Sequence, residues 1–228
     1  MKIRKARECD LEQIMAIYAH ARGFMAQTGN PNQWGPTNWP PAELVQNDIA
    51  CGKSYVCVLD DADASGAGES EASSGLEAPR GPDVYHEPEA PRRPIGAQSD
   101  VATQGAERKA HHRLDDDAIV GVFYFDFGSD IEPTYRRIVD GNWADNSPYD
   151  VVHRIASSGT AKGVGAACIN WAFEQCGHMR IDTHGDNVVM QHLLEKLGFE
   201  RRGTIYVEED NYPRLAYEKT SEKPSGGK

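Results

Sequence analysis

The stretch Val151–Asn170 reads Val-Val-His-Arg-Ile-Ala-Ser-Ser-Gly-Thr-Ala-Lys-Gly-Val-Gly-Ala-Ala-Cys-Ile-Asn, and it constrains the chain more than any other. Val151, Val152 and Ile155 predict a short apolar strand, which Gly159 breaks. Helical spacing begins near Gly163, with Val164, Ala167, Cys168, Trp171 and Ala172 on one face. The loop therefore opens straight into a helix N-terminus.

Such an end leaves backbone N–H groups without carbonyl partners and carries the positive pole of the helix dipole, which suits a phosphate. Gly163 and Gly165 put no side chain in the way of a pyrophosphate, and Lys162 adds a point charge beside it. Two familiar phosphate loops are excluded by spacing. There is no Gly-x-x-x-x-Gly-Lys-Ser/Thr, and Gly163-Val164-Gly165 lacks the third glycine and the early position of a dinucleotide fingerprint.

The segment Thr160-Ala161-Lys162-Gly163-Val164-Gly165, with Ile155 five residues earlier, resembles the coenzyme loop of the GCN5-related N-acetyltransferase (GNAT) superfamily, Gln/Arg-x-x-Gly-x-Gly/Ala. A second segment is similar to the rest of that family's signature. It comprises a strand Met179–His184, then Gly185-Asp186-Asn187, a helix with Met190, Leu193, Leu194 and Leu197, and the close Leu197-Gly198-Phe199.

The resemblance implies an α/β fold of mixed α+β type: a central mixed, mostly antiparallel sheet flanked by helices and splayed between its fourth and fifth strands. It implies transfer of the acetyl group of acetyl-coenzyme A to a primary amine of a small molecule or peptide. Pantetheine would lie on the backbone at Ile155 and Ala156. The pyrophosphate would meet the N–H groups from Thr160 through Ala161, Lys162, Gly163, Val164 and Gly165 to Ala166, with Asn187 nearby. Two positions depart from the pattern: Thr160 replaces Arg or Gln, and Leu194 stands where the family often has a tyrosine acid. A non-catalytic acyl-coenzyme A sensor with a degenerate site is the rival these losses suggest.

Hydrophobic residues make up 39% of the 228, and the shortfall has a location. Between Asp60 and Asp117 the only large apolar residues are Leu76, Val84, Tyr85, Ile95, Val101 and Leu114, among 14 acidic and 6 basic residues. Residues 60–117 are therefore expected to be a disordered acidic insertion in a single acetyltransferase domain spanning 1–59 and 118–219, followed by a disordered tail at 220–228. Five cysteines without paired spacing read as reduced thiols, and no His/Cys/carboxylate spacing suggests a metal. Met1-Lys2-Ile3-Arg4 passes into a strand without an apolar signal core, which predicts a cytoplasmic protein with no membrane segment. The mildly acidic body argues against nucleic acid as a partner, and a monomer or homodimer is expected.

Met1–Ala6 predicts a first strand, and Asp10 with Gln13 a capping box for a helix carrying Leu11, Ile14, Met15 and Tyr18. A turn-rich loop follows, containing Trp34 and Trp39, which either cap the core or, as the resemblance implies, wall the amine pocket; the segment with Glu132, leading into the Val151–Ile155 strand, is expected on the same acceptor side. Pro41–Ala50 predicts a second helix. Strands are expected at Ser54–Leu59, Ile119–Phe127, Gly203–Val207 and Leu215–Glu218. In the second of these, Val120, Val122, Tyr124 and Asp126 should share one face.

The transfer needs aligned reactants, a neutral nitrogen and a stabilised oxyanion. His153 on the splayed strand is the first candidate base, since imidazole changes charge near neutrality; Asp182, Glu132 and Asp126 are rivals. Tyr206 is a candidate acid, beside Tyr212, His184 and His192. Cys168 falls on an apolar stripe, which argues against an acyl-enzyme.

Overall fold

Apolar alternation along seven segments builds one sheet. Its strands are β1 (Lys2–Lys5), β2 (Ser54–Val58), β3 (Ile119–Gly128), β4 (Tyr149–Ser157), β5 (His178–His184), β6 (Glu200–Tyr206) and β7 (Pro213–Thr220). In this computed structural model, which describes residues 1–59, 118–207 and 212–221, the spatial order is β1-β2-β3-β4-β5-β7-β6. The expected insertion at 60–117 and most of the expected tail at 220–228 lie outside the described residues. Every neighbouring pair is antiparallel except β4 and β5. The mixed, mostly antiparallel sheet is thus the one expected. Leu59 N donates to Ala118 O across the gap at 3.3 Å, so the chain leaves and re-enters the β2–β3 pair at one point.

Among the described residues four helices cover the sheet: α1 (Leu11–Gln27), α2 (Ala42–Ala50), α3 (Val164–Cys176) and α4 (Val188–Lys196). Ile14, Ile17 and Tyr18 of α1 and Val45 and Ile49 of α2 pack on Val56, Val122 and Ala156. Val164, Cys168, Ile169 and Ala172 of α3 and Leu194 of α4 pack on Phe123, Val152, Met179 and Ile181. A third cluster joins Tyr135, Tyr149, Val151, Ile205 and Ala216. Val151 and Val152 serve different clusters because successive strand residues point to opposite faces. Among the described residues no helix is long and apolar enough to cross a membrane.

Two local expectations are corrected. Asp10 does not cap α1 with its side chain. Its carboxylate instead accepts from Arg7 N at 2.7 Å and from Arg4 Nη1 at 2.7 Å, closing the short 3-10 turn Glu8–Asp10. Burial alone would raise its pKa, but these donors hold it below the usual carboxylate value. In β3, Cys57 pairs with Gly121 and Val58 with Ile119, which leaves Val120 as a bulge. Val120 accordingly joins the α3 side and Ile119 the α1 side, the reverse of simple alternation.

Charges inside the sheet are paired or exposed to strain. Glu218 is fully buried; it accepts from Arg180 Nε at 3.0 Å and Ala144 N at 2.7 Å, lies 2.9 Å from His178 Nε2, and forms an ion pair with Arg202, whose Nε stands 3.0 Å away outside hydrogen-bond geometry. Asp150, also fully buried, has no hydrogen-bond partner of good geometry for either carboxylate oxygen among the described residues. Burial pushes its pKa up to about 7, and the amide of Cys176 offsets only part of that rise.

Candidate active site

The site is built around the opening in the sheet. β4 and β5 pair only at Asp150↔Met179 and Val151↔Arg180. From Val152 onward β4 has no strand partner on that side among the described residues, so its polar backbone groups face a gap. This is the splay expected between the fourth and fifth strands.

A second irregularity lies on the other side of β4. Tyr124 pairs with His153 and Val122 with Ala156, so Arg154 and Ile155 together face Phe123. Arg154 takes up the extra residue with a left-handed backbone, φ +51°. Ile155 then packs toward α3 while Ala156 packs toward α1.

β4 ends in the glycine loop. Ser158 N donates to Val120 O at 2.9 Å and Ser158 Oγ sits 2.7 Å from Thr160 Oγ1, so the Thr160 hydroxyl already has a local partner. Gly163 is the N-cap of α3 at φ 78°, a conformation glycine adopts without strain, and open space lies where a Cβ would be. Among the described residues no side chain caps α3. Its first backbone bond runs from Ala167 N to Gly163 O at 2.9 Å, which leaves the N–H groups of Val164, Gly165 and Ala166 at the mouth of the helix. Lys162 is exposed beside them.

Two glycines serve packing. A Cβ at Gly121 would stand 2.3 Å from Val164 Cγ1, so a bare backbone in β3 lets α3 dock. A Cβ at Gly165 would lie 3.1 Å from Leu193 Cδ2, so its bare face is turned to α4, whereas Gly163 faces open space. Asn187 caps α4 by accepting from Met190 N at 3.1 Å. Its amide also donates to Gln33 Oε1 at 3.1 Å, which accepts from Asn30 Nδ2 at 2.6 Å as well. This link to the loop after α1 had no signal in the sequence.

Next to the gap stands a cluster of titratable groups. His153 Nε2 lies 3.0 Å from Glu132 Oε2, and His153 Nδ1 lies 3.9 Å from Asp182 Oδ1. The first contact is close in distance but off the hydrogen-bond angle, since Nε2 makes no hydrogen bond by geometry. Tyr135, at 1% exposure, donates its hydroxyl to Asp182 Oδ1 at 2.8 Å. Thr134 N and Oγ1 both donate to Glu132, at 3.2 and 2.8 Å. Burial would raise the Glu132 carboxyl, but the imidazole and Thr134 outweigh it and hold it at about 2. Asp126 is engaged elsewhere, 2.6 Å from Lys53 Nζ.

The structure thus brings His153, Asp182 and Glu132 together. Tyr206 is not with them. It ends β6, three strand spacings or roughly 14 Å from β4, and follows Ile205 onto the opposite face of the sheet. Trp34 is 9% exposed and stands edge-on to Tyr18 with ring centroids 5.8 Å apart, a core contact. Trp39 packs partly buried on the same cluster, with its carbonyl accepting from Arg22 at 3.1 Å. Cys168 is a fully buried free thiol, and its hydrogen bond with the Cys57 thiol together with burial pushes its pKa far above the ordinary range. Among the described residues no three metal-ligating groups converge.

An antiparallel sheet that opens at one parallel pair, beside a glycine loop and helix N-terminus, is the frame of the GNAT acetyltransferases, and the chain has that fold. An acetyltransferase of the GNAT family from Streptococcus agalactiae superposes at a TM-score of 0.65 with 24% identity, over 97% of this chain and 96% of that one. A second, from Listeria monocytogenes, gives 0.53 with 12% identity, over 96% of this chain and 94% of that one. No family model and no curated protein matches the chain.

Proposed function

We propose that the protein is an acetyl-coenzyme A dependent N-acetyltransferase that acetylates a primary amine of a small molecule or peptide within one domain formed by residues 1–59 and 118–219. The observation that carries this reading is the conjunction of the β4–β5 gap with the uncapped N-terminus of α3. A strand edge offers amide-pairing groups to pantetheine, and a few residues later the free N–H groups of Val164 to Ala166 offer a seat for a pyrophosphate. Lys162 supplies the charge that Thr160 does not. Backbone at Ile155 and Ala156, Ala161 in the loop, and Asn187 at the start of α4 complete the binding set.

Acetyl-coenzyme A supplies an activated acyl thioester. The chain's part is to align, to take a proton and to stabilise charge. An amine arrives as an ammonium ion, and the carboxylates of Glu132 and Asp182 favour that cation. His153 accepts its proton, directly or through a water, and the two carboxylates stabilise the resulting imidazolium. Freed N–H groups along β4 beyond Val151 face the carbonyl whose oxygen gains negative charge. Leu194 is buried core and Tyr206 lies elsewhere, so neither protonates the leaving thiolate, and solvent is the donor this reading takes.

The test is thiol release from acetyl-coenzyme A across a panel of amines, with calorimetry for coenzyme binding. Release with at least one amine, reduced about 100-fold in His153→Ala with coenzyme affinity retained, is the expected outcome. Binding without thiol release from any amine would make the protein the sensor instead.

A further inference from the structure

Arg154 is a non-glycine residue held at φ +51°, and three elements converge on it. The Tyr18 hydroxyl, from α1, donates to the Arg154 carbonyl at 3.0 Å. Asp48, from α2, accepts from Arg154 Nη2 at 2.7 Å. The Tyr124 ring, from β3, lies 4.5 Å from the guanidinium carbon. Tyr18 and Asp48 are 2% and 6% exposed, so each donates or accepts inside the protein, where an unmade bond is costly.

Attaching α1 and α2 to the sheet does not require this. The apolar contacts of Ile14, Ile17, Val45 and Ile49 already do so. What the three contacts add is a fixed backbone at the residue between His153 and Ile155. A left-handed conformation is uphill for an arginine and persists only where the surroundings impose it. Release of that residue would return β4 to plain alternation and turn Ile155 toward the face of His153.

We propose that Tyr18, Asp48 and Arg154 form a clamp that sets the angle between the His153 imidazole and the backbone of Ile155–Ser157, and that they are positioning residues for acyl transfer. The proposal rests on the function given above. It makes α1 and α2 determinants of transfer geometry, though neither supplies a reacting group.

Tyr18→Phe keeps the ring and removes only the bond to the bulge. Its turnover at saturating substrates is expected to fall about tenfold, with the dissociation constant for acetyl-coenzyme A changed less than twofold. Asp48→Asn should act in the same direction. Hydrogen exchange without substrates should quicken selectively at the amides of residues 155–157 in both variants. That readout holds even for a wild type that transfers nothing, a result that would sink the enzyme and leave the clamp standing. Turnover within twofold of wild type, or exchange raised evenly through the molecule, would overturn the proposal.

Discussion

Replacing Asp150 by Asn should stabilise the protein increasingly as pH rises. The carboxyl is fully buried on the first rung between β4 and β5, and its pKa is raised by burial from 3.8 to about 7. A raised acid favours the fold while neutral. Its contribution is therefore complete below about pH 4 and is lost as pH climbs to about 7. Each unit is worth about 1.4 kcal/mol, so from about pH 5 to pH 7 the wild type should lose about 3 kcal/mol that the variant keeps. The pH slope matters more than the offset, because the new amide also needs partners in a buried place. Urea unfolding of both proteins at about pH 5, 7 and 9 measures it. A difference between the two that stays constant over this range would refute a carboxyl raised by burial.

Glu132→Gln should show the opposite dependence. The carboxyl is lowered to about 2, so its stabilisation is present above about pH 4.5 and lost as pH falls toward 2; the variant should be about 1–3 kcal/mol less stable at neutral pH and equal to wild type near pH 2 by chemical denaturation. Because Leu59 and Ala118 already meet, replacing residues 60–117 with Asn-Gly should leave coenzyme affinity unchanged by calorimetry. Treated as simple loop closure, the shortening should add up to about 3 kcal/mol of stability, read from the same urea curves.

Much of the frame was legible because it depends on neighbours in sequence. The apolar run Val151–Ile155, the break at Gly159 and the stripe from Val164 to Ala172 fixed strand, loop and helix, and each is present. What escaped depends on residues far apart. The bulge at Val120 adds one residue to an apolar run, and that at Arg154 lies in a polar His-Arg pair between apolar residues, so neither leaves a period that reports it. Asp10 has the spacing of a helix cap, but Arg4 from β1 takes its carboxylate. Gly165 looks like clearance for a ligand until α4 places Leu193 over it. His153 and Asp182 were visible as polar residues on predicted strands; Tyr135, which holds Asp182, became apparent only once the 3-10 turn Pro133–Arg136 folded over them.

A sheet parted in its middle has two rims that ordinary sheets do not. Rims elsewhere recruit strands from other molecules and start aggregates, and proteins blunt them with charge or cover. Here the rim beyond Val151 has His153 and Asp182 beside it, so any strand added there would lie against titratable side chains. Charge at a rim of that kind discourages a strand of another copy from adding to it.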